Sequence, residues 1–289
     1  MTTSTNVRTI LLLLLAMAIP TAVAAQGDGK REPAPASEKL AEWPELKQPD
    51  KDRVLALVGQ FRKEDPELRA DATKQLLAIG AGGMPLLLQQ VSDRAENINS
   101  HLFALFDSLL EPRHSALMAR ETKKPRIELR RYLMQRLCRF GDKDLLPVLE
   151  ATSKDKDEAT AFYAALGMLA QKRREAVPAV VTYTKLHWKE VGPITAEVLP
   201  AARSQEVGAW VFEAIAKAPA AEQMAGLRLL RYLAVKEHNL IMRTYLQAPD
   251  HTVKKEAVNT MRVLNGEDPI ENLTVFQAIE MAKQWLAKI

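Results

Sequence analysis

From residue 66 the apolar positions follow a helical rhythm. Leu68, Ala72, Leu76 and Ile79 recur at intervals of four, four and three, with Arg69, Lys74 and Gln75 between them. Asp65 supplies an N-cap and Pro66 suits the first helical position. A second run, Met84, Leu87, Leu88 and Val91, keeps the same spacing after Gly80, Gly82, Gly83 and Pro85. The glycines do not make a phosphate loop: G-x-G-x-x-G is absent, and Met84-Pro85 stands where G-K-[ST] would follow. Gly80 instead ends one helix with a positive φ, Gly82 and Gly83 turn the chain, and Pro85 opens the next helix. Two short helices so closely joined form an antiparallel hairpin.

The pattern repeats. Glu67-Leu68-Arg69 recurs as Glu128-Leu129-Arg130, and the same displacement carries Leu76 to Leu137 and Gly80 to Gly141, with Pro147 one position out of step from Pro85. Half that displacement beyond Pro147, Val177-Pro178-Ala179-Val180 repeats the apolar-Pro motif again. Two helical patterns between Asn99 and Arg120 fill the unit that this halving requires. Near the C-terminus, Asp250 precedes Val253, Ala257, Met261 and Leu264, and Asn265-Gly266 makes a turn. A first helix over 50–61 buries Val54, Leu57, Val58 and Phe61. A last one, opened by Asp268-Pro269, buries Val275, Ala278, Ile279, Ala282, Trp285 and Leu286. No alternating run predicts a strand. Periodicity of this length predicts an all-α solenoid of stacked helix hairpins.

The spacings Asp65…Arg69…Ala72…Leu76…Gly80…Pro85 and Asp250…Val253…Ala257…Leu264 resemble HEAT-repeat proteins of the short bacterial kind. The likeness extends over residues 128–150 and is poor over 191–223. The resemblance implies a right-handed α-solenoid that binds partners, with no chemistry of its own.

The N-terminus carries a different signal. Arg8, the apolar run Ile10–Ile19, Pro20 and Ala22-Val23-Ala24 follow the order of a secretory signal peptide, placed at residues 1–25. Residues 10–25 are too short a stretch to span a bilayer, so cleavage is expected rather than retention as an anchor, and the protein is expected to be exported, periplasmic or secreted. Residues 26–39 have little to bury and are expected to be a flexible linker, with the solenoid occupying residues 40–289. A single cysteine, Cys138, excludes an internal disulfide, and its place on a helix points to core packing rather than reactivity.

Candidate chemistry is sparse. The five histidines, His101, His114, His187, His238 and His251, show no metal-binding spacing. Asp155-Lys156-Asp157-Glu158 lacks the glycine and closing glutamate of a calcium loop and reads as a solvated inter-repeat turn. Ser153-x-x-Lys156 has no companion motifs, and Asn272-Leu273-Thr274 is a glycosylation sequon only in a eukaryotic secretory pathway. No cofactor is expected. Charge is the one feature that stands out. Nine basic residues lie between Arg113 and Arg139 against Glu121 and Glu128 alone, a local excess above the net +4 of the whole chain. Within it Arg120, Lys123, Lys124, Arg126, Arg130 and Arg131 form the candidate partner-binding site, an edge ridge suited to an acidic polymer.

Two functions compete. One is a non-catalytic binding or scaffold module, monomeric, for a protein or polyanionic partner. The other is a nucleic-acid enzyme resembling the HEAT-like alkylpurine DNA glycosylases. In that reading Trp188 and Trp210 serve for stacking and Lys185, Lys189 and Arg203 for phosphate contacts. Export away from the genome favours the first.

Overall fold

The computed structural model describes residues 38–289, so the expected signal peptide and most of the expected linker lie outside the described residues. Everything regular in it is helical: fourteen α-helices joined by short loops and 3₁₀ turns, with no strand among the described residues. Helix α1 (Gln48–Gln60) opens the stack, and seven hairpins follow. The first three pair α2 (Pro66–Ile79) with α3 (Met84–Gln90), α4 (Glu96–Leu109) with α5 (Ser115–Glu121), and α6 (Ile127–Leu137) with α7 (Leu146–Thr152). In the fourth, α8 (Glu158–Ala170) pairs with the first half of α9 (Val177–Val198). The second half of α9 pairs with α10 (Gln205–Ile215), α11 (Ala220–Leu233) with α12 (Asn239–Leu246), and α13 (His251–Leu264) with α14 (Val275–Leu286). Helices α2 and α4, α6 and α8, α8 and α9, α9 and α11, and α11 and α13 pack in succession, the arrangement of an all-α, solenoid-like stack.

The break in α9 completes the register. His187 has φ −121° and ψ 22°, outside the helical region, so the span is two helices joined at a kink. Pro193 lies inside the second, where it has no N–H to donate to the Lys189 carbonyl. The fifth unit therefore starts at Trp188. The first helices then begin at Pro66, Glu96, Ile127, Glu158, Trp188, Ala220 and His251, at nearly even intervals along the chain. The second helices set the offset. Pro85, Pro147 and Pro178 each hold the second position of their helix, so Pro147 is the true counterpart of Pro85, and its one-position slip is an extra residue in the corner before α7.

Local chemistry explains the ends. Asp65 accepts from the N–H groups of Glu67 and Leu68, Asp157 from Thr160, and Asp250 from Thr252 and Val253. Gly80 (φ 75°) and Gly141 (φ 61°) occupy positive-φ corners, as their places after α2 and α6 predict. Gly82 does more than turn the chain: a Cβ there would stand 2.9 Å from Leu46 Cδ2 and 3.0 Å from Pro44 O. Two corners use histidine instead. Nδ1 of His114 accepts from Glu111 N (3.0 Å), and Nδ1 of His238 accepts from Val235 N (3.1 Å), each closing the 3₁₀ turn before α5 or α12.

The core follows the predicted apolar faces. Val54, Leu57, Val58 and Phe61, the run Met84, Leu87, Leu88 and Val91, and Val253, Ala257, Met261 and Leu264 are all buried. In α2 Ala72 and Leu76 are buried, whereas Ile79 is half-buried and Leu68 is 44 % exposed. The last helix starts at Val275, not at Asp268-Pro269, because Thr274 and Gln277 form a capping box. Ala278, Ala282 and Trp285 are buried as predicted, whereas Val275 lies exposed. None of the helices among the described residues is long and apolar enough to cross a membrane.

Candidate functional site

The basic segment folds into α5, α6 and the loops around them, and acids from neighbouring repeats meet it there. Arg130 forms a two-bond fork with Asp155, Nε to Oδ2 at 2.9 Å and Nη2 to Oδ1 at 3.0 Å. Arg131 does the same with Asp157 through Nη2 at 2.7 Å, and also reaches Glu128 at 3.1 Å. Both aspartates lie in the turn before α8, so that turn is an ion-paired joint between hairpins three and four. The solvated turn read from the sequence is corrected here, since the two carboxylates keep only 15 % and 14 % of their side-chain exposure. Burial works upward on the Asp157 carboxyl, but hydrogen bonds from Arg131 and Thr160 outweigh it and hold the pKa at about 2.

The remaining cations are also engaged. Nη1 of Arg126 donates to Leu88 O at 2.6 Å and to Val91 O, covering the carbonyls at the C-terminus of α3, where a cation is favoured. Arg136 does likewise for Asp107 O and Leu110 O at the end of α4. Lys124 pairs with Glu121 at 2.6 Å, Arg113 with Glu111 at 2.8 Å and Arg139 with Glu197 at 2.8 Å. Arg120 donates to Ala41 O at 3.0 Å. Of the six candidate residues only Lys123 makes no side-chain hydrogen bond or ion pair with the described residues. The six do not all converge on one cavity. Lys123, Lys124 and Arg130 border one opening with Pro125 and Pro147, Arg120 and Lys123 border a second beside Lys39, and Arg131 faces a third beside Phe103 and Glu128.

Three of the five residues that would serve a glycosylase are likewise committed, while Lys189 is exposed and Trp210 packs partly buried against the core. Trp188 packs on Gly192 and lies under the Arg228 guanidinium at 5.4 Å. Lys185 pairs with Glu222, and Arg203 donates to the carbonyls of Arg231 and Tyr232 at the end of α11. Cys138 is buried, and burial pushes its thiol up to about 12.

Sequence reasoning missed a different surface, on hairpin four. Where the other hairpins are separated by loops, His187 alone separates the fourth from the fifth, and Leu186 just before it stays 68 % exposed. An open cleft of about 430 Å³ runs along this hairpin between Ala161 and Phe162 on α8 and Pro178, Ala179, Thr182, Tyr183 and Leu186 on α9. Two of its lining rings, Phe162 and Tyr183, stack at 4.5 Å, and Tyr183 stacks in turn on His187 at 4.3 Å. Glu158, exposed, stands on the rim. The signal in the sequence was Leu186 itself, an apolar residue out of phase with the buried Val177, Val180, Val181 and Thr184. No family model matches this chain, and no curated protein or solved structure is similar enough to be matched.

Proposed function

We propose that this chain is an exported helical-repeat module, HEAT-like in architecture, that binds a protein partner at the cleft of hairpin four. One observation carries the reading: Leu186 is left 68 % exposed beside that cleft, while all of the basic segment's cations except Lys123 already bond carboxylates or carbonyls. An arginine already forked onto an aspartate must give up that bond before it grips a phosphate or sulfate. An exposed leucine beside an open aromatic cleft loses nothing by contact, and burying such a side chain contributes about 1.5–3 kcal/mol. This favours a protein partner over an acidic polymer. The monomeric state and the exported location belong to the same proposal and rest on the sequence.

The test is retention of a partner from an envelope extract by the immobilised chain, with Leu186→Glu and Tyr183→Ala variants beside wild type. A partner held by wild type and released by both variants supports the reading; one held equally by all three sinks it. Heparin and duplex DNA, titrated at two salt concentrations against wild type and a Lys123→Glu, Lys124→Glu variant, test the polyanion alternative. Tight binding that weakens steeply with salt and disappears in the variant would favour that alternative instead.

A further inference from the structure

The described residues ahead of α1 do not hang free. Residues 39–46 run across the corners of the first three hairpins, in the order three, two, one. Lys39 Nζ bonds Asp142 at 2.7 Å and Asp144 at 2.6 Å, in the turn before α7. Leu40 N donates to Arg113 O at 3.0 Å, in the turn before α5, and Ala41 O accepts from Arg120. Trp43 stacks on His114, ring centroids 5.3 Å apart and 20° from parallel. Pro44 and Leu46 press on Gly82, in the turn before α3, where a side chain would not fit.

This strap has the build of a bound peptide. It contacts the fold through its own backbone and at every third residue: Leu40, Trp43 and Leu46 are half-buried, and the rest of 38–46 is exposed. Such an extended segment is read by main-chain hydrogen bonds plus a few anchors, here a lysine and a ring four positions on. The receiving surface is more finished than its occupant. Asp142, also bonded by Ser115 Oγ at 2.7 Å, is aimed at the lysine, and His114 is fully buried beneath the indole. Since Nδ1 of His114 accepts from Glu111 N, its proton is on Nε2, and that N–H meets no acceptor among the described residues. A competitor with an acceptor at this place would gain a bond that the strap does not make. Beyond Lys39 the trough continues between α5 and α7 as an opening of about 260 Å³ lined by Ala116, Ala119, Leu145 and Val148.

We infer that the trough across the corners before α3, α5 and α7 is a peptide-recognition site that the chain's own strap occupies in cis. Its ligand is an extended partner segment with a lysine and, four positions later, an aromatic ring. The strap is then a gate, because a tethered ligand competes at an effective concentration in the millimolar range. The inference is independent of the cleft on hairpin four, and either can fail alone.

The probe is a fluorescent peptide of residues 38–46, EKLAEWPEL, titrated by polarisation against the full chain. Wild type is compared with a gate-open variant carrying Lys39→Glu and Trp43→Ala. The variant should bind the probe at least about tenfold more tightly than wild type, whose site is filled. Adding Asp142→Asn and Asp144→Asn to the gate-open variant should weaken the probe about tenfold again by removing the lysine's partners. Equal binding by wild type and gate-open variant, or no binding to the latter at about 1 mM peptide while its thermal melt stays cooperative, would overturn the inference. If the double variant fails to melt cooperatively, Lys39→Glu alone is held to the same comparison.

Discussion

Gly226 offers a stringent check on the repeat register. It lies in α11 and faces α10 of the preceding unit, and a Cβ at that position would stand 2.5 Å from Ile215 Cγ2 and 2.8 Å from Cδ1. Ordinary contact begins near 3.4 Å, so one side must move. Ile215 is 1 % exposed and β-branched, hence stiff at χ1 and packed on every side. Replacing a helical glycine by alanine contributes about 0.5–1 kcal/mol of backbone stabilisation, while overpacking a filled core costs about 1–3 kcal/mol. Gly226→Ala should therefore destabilise the chain by about 1 kcal/mol. Ile215→Ala alone should cost about 2–5 kcal/mol as a core truncation. In that background the obstructing carbons are gone, and Gly226→Ala should reverse sign and stabilise by about 0.5–1 kcal/mol. Urea unfolding followed by circular dichroism on the four members of the cycle measures the coupling, with m-values compared across them. Gly226→Ala stabilising both backgrounds alike would mean that α10 and α11 do not approach as described, and the placement of the fifth unit would fall with it.

Leu137, 1 % exposed at the end of α6, should cost about 2–5 kcal/mol on replacement by alanine, and a loss below about 0.5 kcal/mol in the same urea assay would show that it does not face the core. Asp157 has a folded pKa of about 2 against an ordinary 3.8, so its contribution is complete above about pH 4 and is lost as pH falls toward 2. Thermal melts of Asp157→Asn should lie below wild type at pH 7 and converge with it near pH 2, whereas a constant gap would refute the linkage. The Cys138 thiol, buried and raised to about 12, should stay unreactive toward a disulfide reagent at pH 8 until denaturant is added; rapid labelling of the native chain would contradict its burial.

The hairpins legible in the sequence were those whose corners carry glycine and proline. Gly80 with Pro85 and Gly141 with Pro147 mark two corners because only certain residues tolerate those backbone angles. The fifth unit was hidden for the opposite reason. No loop precedes it, since the helix continues through a single distorted residue, His187, and its second helix is capped by Ser204 rather than opened by a proline. His114 and His238 show the same limit. Read by spacing they are lone histidines, but each closes a tight turn with its ring nitrogen, a role that leaves no periodic trace. The strap could not be read either, because its anchors lie far along the chain, 103 residues from Lys39 to Asp142.

The basic segment shows why a local charge count is a weak guide to a binding site in a repeat protein. Stacking sets each first helix beside the loop that opens the next unit, one full repeat further along the chain. A charge balance taken over Arg113 to Arg139 alone therefore omits the groups that face it. Arg130 and Arg131 find Asp155 and Asp157 in such a loop, and Arg228 and Arg231 on α11 find Glu256 within the next unit's first helix, α13. Arginine suits this joint better than lysine because its planar fork holds a carboxylate by two bonds. It also reaches spare carbonyls at a helix end, as Arg126, Arg136 and Arg203 do. The excess of positive charge is thus largely the stitching between units, and the surface left for a partner is better sought where the stack leaves apolar side chains exposed or only lightly covered. One such place is the loopless junction at Leu186; another is the trough beneath the strap, where the occupant is a short extended segment rather than a packed helix.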